Sequence, residues 1–326
     1  MKSLTINWGI IGCGDVTEIK SGPAFNKVPN SRLVAVMRRD AVKAKDYAVR
    51  HNVPRWYNDA TELINDPEVN AVYVATPPLY HEEYTIKALN AGKPVYVEKP
   101  MAIDANAAKR MAQAASVSGV KLCVAHYRRQ QPLFLKIKSL LLERAVGDVR
   151  FVTLQLFQQH QSNIIATTEV NWRINPGISG GGLFYDLAPH QLDLMLYFFG
   201  RPKHSSGLSF NASGLYQADD TTCGQILFEN GILFNGAWCF TIPQKRDQCE
   251  IIGTEGAVRF SIFDQQPLLV TKNGKESSLQ FNSLPHVQQP MIQKVVDYFL
   301  GQADNPCTAE EGIEVMKMME AFTLQP

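Results

Sequence analysis

The sequence predicts an α/β domain on a parallel sheet, followed by an α+β domain whose large, open sheet is mainly antiparallel. Over the first third, short apolar runs alternate with helical patterns, as in strand–helix–strand units that build a parallel sheet. From about Val149, long alternating segments joined by turn pairs replace that pattern, as in an antiparallel sheet with one buried face. A chain of 326 residues also exceeds what a single core usually holds. The pattern change sets the expected boundary: residues 1–125 form the first domain and 126–326 the second, with the C-terminal helix free to pack back on the first.

In the first domain, strands are expected at Ile6 to Ile11, Leu33 to Met37, Ala71 to Ala75, Val95 to Val97 and Lys121 to Ala125. Helices are expected at Val42 to His51, at Ala60 to Ile64 behind an Asp59/Glu62 capping pattern, and at His81 to Ala91 ending on Gly92. In the second domain the alternating segments are Phe151 to Gln158, Gly224 to Phe228, Ile232 to Phe240, Cys249 to Ile252 and Leu268 to Thr271. Asn230-Gly231 and Asn273-Gly274 mark hairpin turns, where positive φ is favoured at both positions. Helical patterns at Pro132 to Arg144, Leu187 to Phe199, Pro290 to Leu300 and Ala309 to Phe322 would cover one face of that sheet.

The net charge of +1 and the absence of a Lys/Arg run give no field that would draw in nucleic acid or an anionic membrane. Small-molecule partners are expected. No run approaches the ~20 apolar residues of a membrane-spanning helix. Met1-Lys2-Ser3 and the stretch from Leu4 to Cys13 look like the approach to a strand and not like a signal peptide. The six cysteines lie far apart, so reduced and mostly buried thiols are expected, as in a cytoplasmic protein. His51, His160, His204 and His286 have no partners at metal-ligand spacing, and no metal site is expected.

Gly12-Cys13-Gly14-Asp15-Val16-Thr17 directly follows the first strand. Gly12 permits the tight turn and Gly14 lets the backbone approach a pyrophosphate, which the N–H groups at Asp15 and Val16 would hold. Thr17 stands where this fingerprint usually has Gly or Ala, and a structural loop is the alternative. Position before a strand–helix–strand pattern favours a Rossmann dinucleotide site. The second strand ends in Arg38-Arg39-Asp40. An acid there accepts bonds from a ribose 2′-OH, whereas arginine pairs with a 2′-phosphate. Arg38 occupies the deciding position, which favours NADP; Asp40 keeps NAD open.

Thr76-Pro77-Pro78-Leu79-Tyr80-His81 and Gly92-Lys93-Pro94-Val95-Tyr96-Val97-Glu98-Lys99-Pro100 resemble motifs of the glucose-fructose oxidoreductase / inositol dehydrogenase / rhizopine-catabolism (Gfo/Idh/MocA) family. Trp172-Arg173, Gly180-Gly181-Gly182, Asp186-Leu187-Ala188-Pro189-His190 and Asp219-Asp220 extend the resemblance over nearly the whole chain. It implies a Rossmann domain and an open antiparallel α/β domain that together oxidise or reduce a sugar, polyol or cyclitol carbon with NAD(P). It makes Lys99 and His190 the active pair with Asp186 near the substrate. It also implies that Thr76, Pro77, His81 and Glu98 lie along the coenzyme, that Trp172 and Arg173 reach it from the second domain, and that Pro100 follows a cis peptide. Homodimers or homotetramers through the open sheet face are expected on the same basis. One departure is Ala188-Pro189, where Gly is commoner two residues before the histidine.

Oxidising a carbinol moves a hydride to nicotinamide C4 and a proton to a base within hydrogen-bond reach. Histidine titrates at ~6.5, which suits His190 as that base. Lys99 could instead relay the proton, or polarise the carbonyl oxygen in the reverse direction, and the sequence leaves this choice open. On a helix Asp186, His190 and Asp193 share a face, although Pro189 could make the helix begin there. Asp186 then orients the imidazole or binds substrate, or is a plain helix-start acid; Asp193 looks supportive. His126, Tyr127 and Arg128 follow the last strand of the first domain, with Tyr127 and Arg128 as candidate substrate contacts. His81 reads as a ribose contact or as a polar helix start. Two other functions fit the same motifs: glycoside cleavage through transient oxidation by a retained NAD, and non-catalytic nucleotide sensing. A sensor needs neither Lys99 nor His190.

Overall fold

The computed structural model describes residues 5–161 and 171–323; the reading of Met1-Lys2-Ser3 lies outside them. The chain divides into two compact units, Met1–Arg128 with Leu284–Ile313, and Arg129–Ser283 with Glu314–Pro326.

The first unit runs β1 (Ile6–Ile11), α1 (Asp15–Ile19), β2 (Ser31–Met37), α2 (Ala41–Arg50), β3 (Arg55–Tyr57), α3 (Ala60–Asn65), β4 (Ala71–Val74), α4 (His81–Asn90), β5 (Val95–Val97), α5 (Ala105–Ser118) and β6 (Leu122–Val124). Its sheet has the order β3-β2-β1-β4-β5-β6, and every pairing is parallel. That is the Rossmann order. β1, β4, β5 and β6 are almost wholly buried, as expected of strands covered on both faces. A file of aromatic rings, Trp8, Phe25, Tyr73 and Tyr96, fills the core, with successive centroids 4.8, 5.2 and 5.2 Å apart.

Asp59 accepts from the N–H groups of Thr61 and Glu62 (2.7 and 3.3 Å), so it caps α3 as its spacing predicts. Two elements escape the sequence pattern. α5 is too rich in alanine to show strong apolar periodicity, although its ends carry recognisable chemistry. Asp104 accepts from Ala107 N–H at 2.7 Å, and Gly119 takes φ +66° as its C-cap. β3 is a three-residue edge strand, too short to show alternation.

α1 is fastened to the end of α2 within this unit. Arg50 donates to both carboxylate oxygens of Glu18 at 2.8 Å, and His51 lies 2.8 Å from the same group. The Arg50 guanidinium, foremost, pulls the Glu18 carboxyl from its ordinary 4.5 to about 2, with help from His51 and against partial burial. A carboxyl depressed on folding contributes stability that is complete above its unfolded value and disappears as pH falls through the folded one. The Tm difference between the wild type and Glu18→Gln is therefore expected to shrink as pH falls from 4.5 to about 2. A difference independent of pH across that window would contradict the assignment.

The second unit comprises α6 (Pro132–Leu142), β7 (Val149–Gln159), α7 (Pro176–Ser179), α8 (Gly182–Phe199), β8 (Pro202–Phe210), β9 (Thr221–Phe228), β10 (Leu233–Cys239), β11 (Thr241–Gly253), β12 (Gly256–Phe260), β13 (Leu268–Lys272) and β14 (Lys275–Leu279). α9 (Gln289–Phe299) follows in the returning stretch of the first unit, and α10 (Ala309–Thr323) closes the described chain. The sheet order is β14-β13-β12-β11-β7-β10-β9-β8, antiparallel except where β10 meets β7. The sequence pattern misses β8, a polar edge strand, and the short strands β12 and β14.

Both expected hairpins form. Asn273 and Gly274 both take positive φ (50° and 76°), but in the other turn only Gly231 does (84°). Asn230 acts through its side chain there, donating to Phe199 O at 3.0 Å. α8 begins five residues before the predicted start and is buried nearly all round, the mark of a core helix. Among the described residues no helix is long and apolar enough to cross a membrane.

Candidate active site

In the first unit, parallel pairing places the carboxyl ends of β1, β2, β4 and β5 along one edge of the sheet. The residues that follow these ends are Gly12, Arg38, Thr76 and Lys99. Ligands of open α/β sheets bind along such an edge.

Gly12 has φ +95°, and a Cβ there would lie 2.8 Å from Thr76 N and 2.9 Å from the Ala75 carbonyl carbon. A side chain at this position would collide with the main chain that follows β4, so the turn requires glycine. The N–H groups of Gly12 and Cys13 both donate to Met37 O (2.9 and 3.1 Å), which ties the turn to β2. Thr17 has a use where the fingerprint has Gly or Ala. Its buried hydroxyl accepts from Gly14 N–H at 3.0 Å and lies 2.8 Å from Gly14 O as a donor, closing the turn on itself. The space beside Gly14 is open, for an added Cβ would meet only Gly12 O at 3.9 Å. The Thr76 hydroxyl is buried with no hydrogen-bond partner among the described residues. An open glycine turn beside an orphaned buried hydroxyl fits a dinucleotide. Asp15 and Val16 form the first turn of α1.

Arg38 is half-buried and its Nη1 donates to Cys13 O at 3.4 Å. The Arg39 guanidinium lies 4.7 Å from the centre of the Tyr80 ring. Asp40 caps α2, accepting from Lys43 N–H at 3.1 Å. Its carboxylate is thus engaged by the helix start.

Pro77 leads into a short 3-10 turn, Pro78–Tyr80, ahead of α4. His81 is completely buried at the start of α4. Its Nε2 lies 2.7 Å from Thr76 O and its Nδ1 3.0 Å from Pro100 O. Burial lowers its pKa, and a neutral ring has one N–H to donate to these two carbonyls. His81 therefore donates to one of them, and its buried ring sits between the turn after β4 and the segment after Lys99. The Lys99–Pro100 peptide is cis, as the family resemblance implies. Glu98 is 4% exposed, and its carboxylate accepts from Tyr73, Gln288 and the Lys99 N–H. Lys99 itself is half-buried. His126 and Tyr127 are buried, and the Arg128 guanidinium lies 5.7 Å over the Tyr127 ring.

In the second unit, α8 runs unbroken through Pro189, so Asp186, His190 and Asp193 do share a helical face. Each acid has an arginine. Arg173 Nε donates to Asp186 at 3.1 Å, and its guanidinium lies 4.4 Å over the Trp172 ring. Asp193 receives Arg129 Nε at 2.9 and 3.0 Å and Nη2 at 2.7 Å, both side chains being almost fully buried. The His190 ring stands edge-on to Phe263, centroids 5.7 Å apart. His190 is 5% exposed, and along α8 it stands between the paired acids Asp186 and Asp193. Asp220 clamps the loop after β8. Burial alone would raise its pKa, but bonds from Ser213 and Thr221 hydroxyls and from the Ala212 and Ser213 N–H groups outweigh burial and lower it.

Sequence reasoning missed Tyr73 and Gln288 beneath Glu98, Tyr80 beneath Arg39, and Arg129. For Gln288, 190 residues from Glu98, no local signal exists.

Residues 6–126 match an oxidoreductase family with an NAD-binding Rossmann fold, and residues 134–259 match the GFO/IDH/MocA C-terminal domain. The chain is similar to oxidoreductase P35 of Formosa agariphila, 47% identical over 97% of this chain and 98% of that protein. It is 27% identical to the Bacillus subtilis scyllo-inositol 2-dehydrogenase (NADP(+)) IolW, over 97% of this chain and 92% of that one. Its fold is that of the aldose-aldose oxidoreductase from Caulobacter crescentus, with a TM-score of 0.85 at 23% identity over 97% and 96% of the two chains. The chain therefore belongs to the Gfo/Idh/MocA family and is an NAD(P)-dependent dehydrogenase or reductase.

Proposed function

We propose that this enzyme transfers a hydride between C4 of the NADP nicotinamide and a carbinol or carbonyl carbon of a sugar, polyol or cyclitol, with Lys99 and His190 handling the proton. The observation that carries the proposal is the gathering of Gly12, Arg38, Thr76 and Lys99 at one edge of the parallel sheet. A coenzyme laid along that edge would have its phosphates at the glycine turn and its ribose 2′ position near Arg38. Gly12, Gly14, Asp15 and Val16 would form its phosphate cradle, and Thr76 and Pro77 would line it further on. Trp172 and Arg173 complete the proposed coenzyme contacts. When bound, NADP supplies the two-electron acceptor or donor.

In the oxidative direction His190 takes the hydroxyl proton of the substrate, while Lys99 Nζ holds the same oxygen as it becomes a carbonyl. Asp186, fixed by Arg173, faces the imidazole side of α8 and binds a neighbouring hydroxyl. Tyr127 and Arg128 line the substrate. An inositol dehydrogenase among the relatives supports a polyhydroxylated substrate. The test is reduced-nicotinamide absorbance on purified protein with a panel of sugars, polyols and cyclitols. No turnover of any of them, in either direction, would remove the proposal.

The choice of NADP rests on Arg38, on Arg39 held over Tyr80, and on the engagement of Asp40 by the start of α2. Arg38→Ala is expected to raise KM for NADP roughly ten- to a hundredfold, the loss of a charge-assisted bond. KM for NAD should change little. Wild-type preference for NAD, or an equal effect on both coenzymes, would contradict this assignment.

A further inference from the structure

Beneath Lys99 lies a closed set of buried polar groups, all within the first unit. Glu98 Oε1 accepts from the Tyr73 hydroxyl at 2.5 Å and from Gln288 Nε2 at 2.5 Å. Glu98 Oε2 accepts from the Lys99 N–H at 3.0 Å. Gln288 is held in turn, because its Oε1 accepts from the Tyr96 hydroxyl at 3.1 Å and its own N–H donates to Lys20 O at 3.2 Å. Two residues earlier His286 is pinned as well. The Lys27 ammonium can only donate, so the His286 Nε2 at 2.7 Å accepts and Nδ1–H donates to Ile19 O at 2.7 Å. The carboxylate is fixed by three donors, and its second oxygen holds the main chain of the residue assigned to the reacting oxygen.

We propose that Gln288 and Tyr73 are positioning residues for hydride transfer, fixing Glu98 so that its carboxylate sets the main-chain origin of the Lys99 side chain. This rests on Lys99 acting at the reacting oxygen, as above. A buried carboxylate needs donors wherever it lies, so the network could serve stability alone; the two roles separate in kinetics. Displacing a reacting group by a fraction of an ångström costs turnover, whereas coenzyme affinity depends on other contacts.

Gln288→Met keeps the side chain's length and removes the donor. It is expected to lower kcat roughly ten- to a hundredfold while leaving coenzyme affinity, measured by fluorescence titration, unchanged. Gln288→Glu sets a second carboxyl against Glu98, and the two cannot both ionise in contact. While the pair shares a proton the hydrogen bond is kept; once the proton leaves, the two repel. The kcat of Gln288→Glu should approach the wild-type value at acid pH and fall to that of Gln288→Met as pH rises, a limb absent from the wild type. The titratable groups facing the pair are Tyr73 from β4, Tyr96 from β5, Lys99, and His81, whose ring feels the Glu98 charge. Burial pushes both tyrosines well above their ordinary value and His81 below its own. The new limb would therefore belong to the carboxyl pair.

Should Gln288→Met unfold, Tyr73→Phe removes a single hydroxyl and is expected to show the same split between kcat and affinity. Wild-type kcat in folded Gln288→Met or Tyr73→Phe, with Lys99→Ala inactive, would overturn the positioning role and leave the hydride-transfer reading standing. Full turnover by Lys99→Ala would overturn both.

Discussion

Lys99→Ala is expected to lose at least ~100-fold in kcat, the usual scale for removing a donor to the reacting oxygen, while coenzyme binding measured by calorimetry persists. The expectation follows from placement. Lys99 stands just past the carboxyl end of β5, its N–H held by buried Glu98. The glycine turn, Thr76 and Arg38 belong to other strand ends and are untouched by the substitution. Binding without turnover would separate a catalytic role from a cradle role. A nucleotide-sensing protein would show no such loss, because it would have no turnover to lose. If Lys99→Ala instead abolished binding and left residual turnover at saturating coenzyme unchanged, Lys99 would be a coenzyme ligand and the proton chemistry would fall to His190 alone.

Arg129→Met is expected to destabilise the protein by about 3–5 kcal/mol, because it leaves the Asp193 carboxylate buried without its cation. Arg129 and Asp193 are 2% and 1% exposed, at 2.7 Å, and the Arg129 guanidinium also lies 5.3 Å from the Tyr197 ring centre. Water cannot replace a partner there. A fall in Tm of roughly 10 °C should be visible by scanning calorimetry. Arg129→Met with Asp193→Leu should recover much of the loss, since the dominant cost is the uncompensated charge and not the missing pair. An additive double variant would show instead that packing of the long arginine side chain carries the stability. Asp193 sits one turn past His190 on α8, so the recovered double variant also tests whether the ion pair matters to turnover beyond holding the helix.

Much of the fold was legible because its signals are local. A glycine turn after an apolar run, an acid at a helix start and an Asn-Gly pair between alternating segments each depend on a few adjacent residues. The same holds for Glu98-Lys99-Pro100 and for the spacing of Asp186 and His190, which carried the family resemblance. What escaped lacked a local signal. α5 hides its face behind alanines, β8 is a polar edge, and Pro189 gave reason to start α8 late. A proline removes one hydrogen bond, and burial on nearly every side of α8 outweighs that loss.

Chain order alone established the strand–helix alternation, the glycine turn after β1 and the basic end of β2, because periodicity and turn chemistry are written in neighbouring residues; the candidate pair Lys99 and His190 came from the family resemblance of their motifs. Folding decided the partners: Gln288 and Tyr73 around Glu98, Arg129 on Asp193, Arg173 on Asp186, and the helix cap that occupies Asp40. Hydrogen bonds and ion pairs join whichever groups three-dimensional packing brings within about 3 Å, and separation along the chain places no limit on which groups those are.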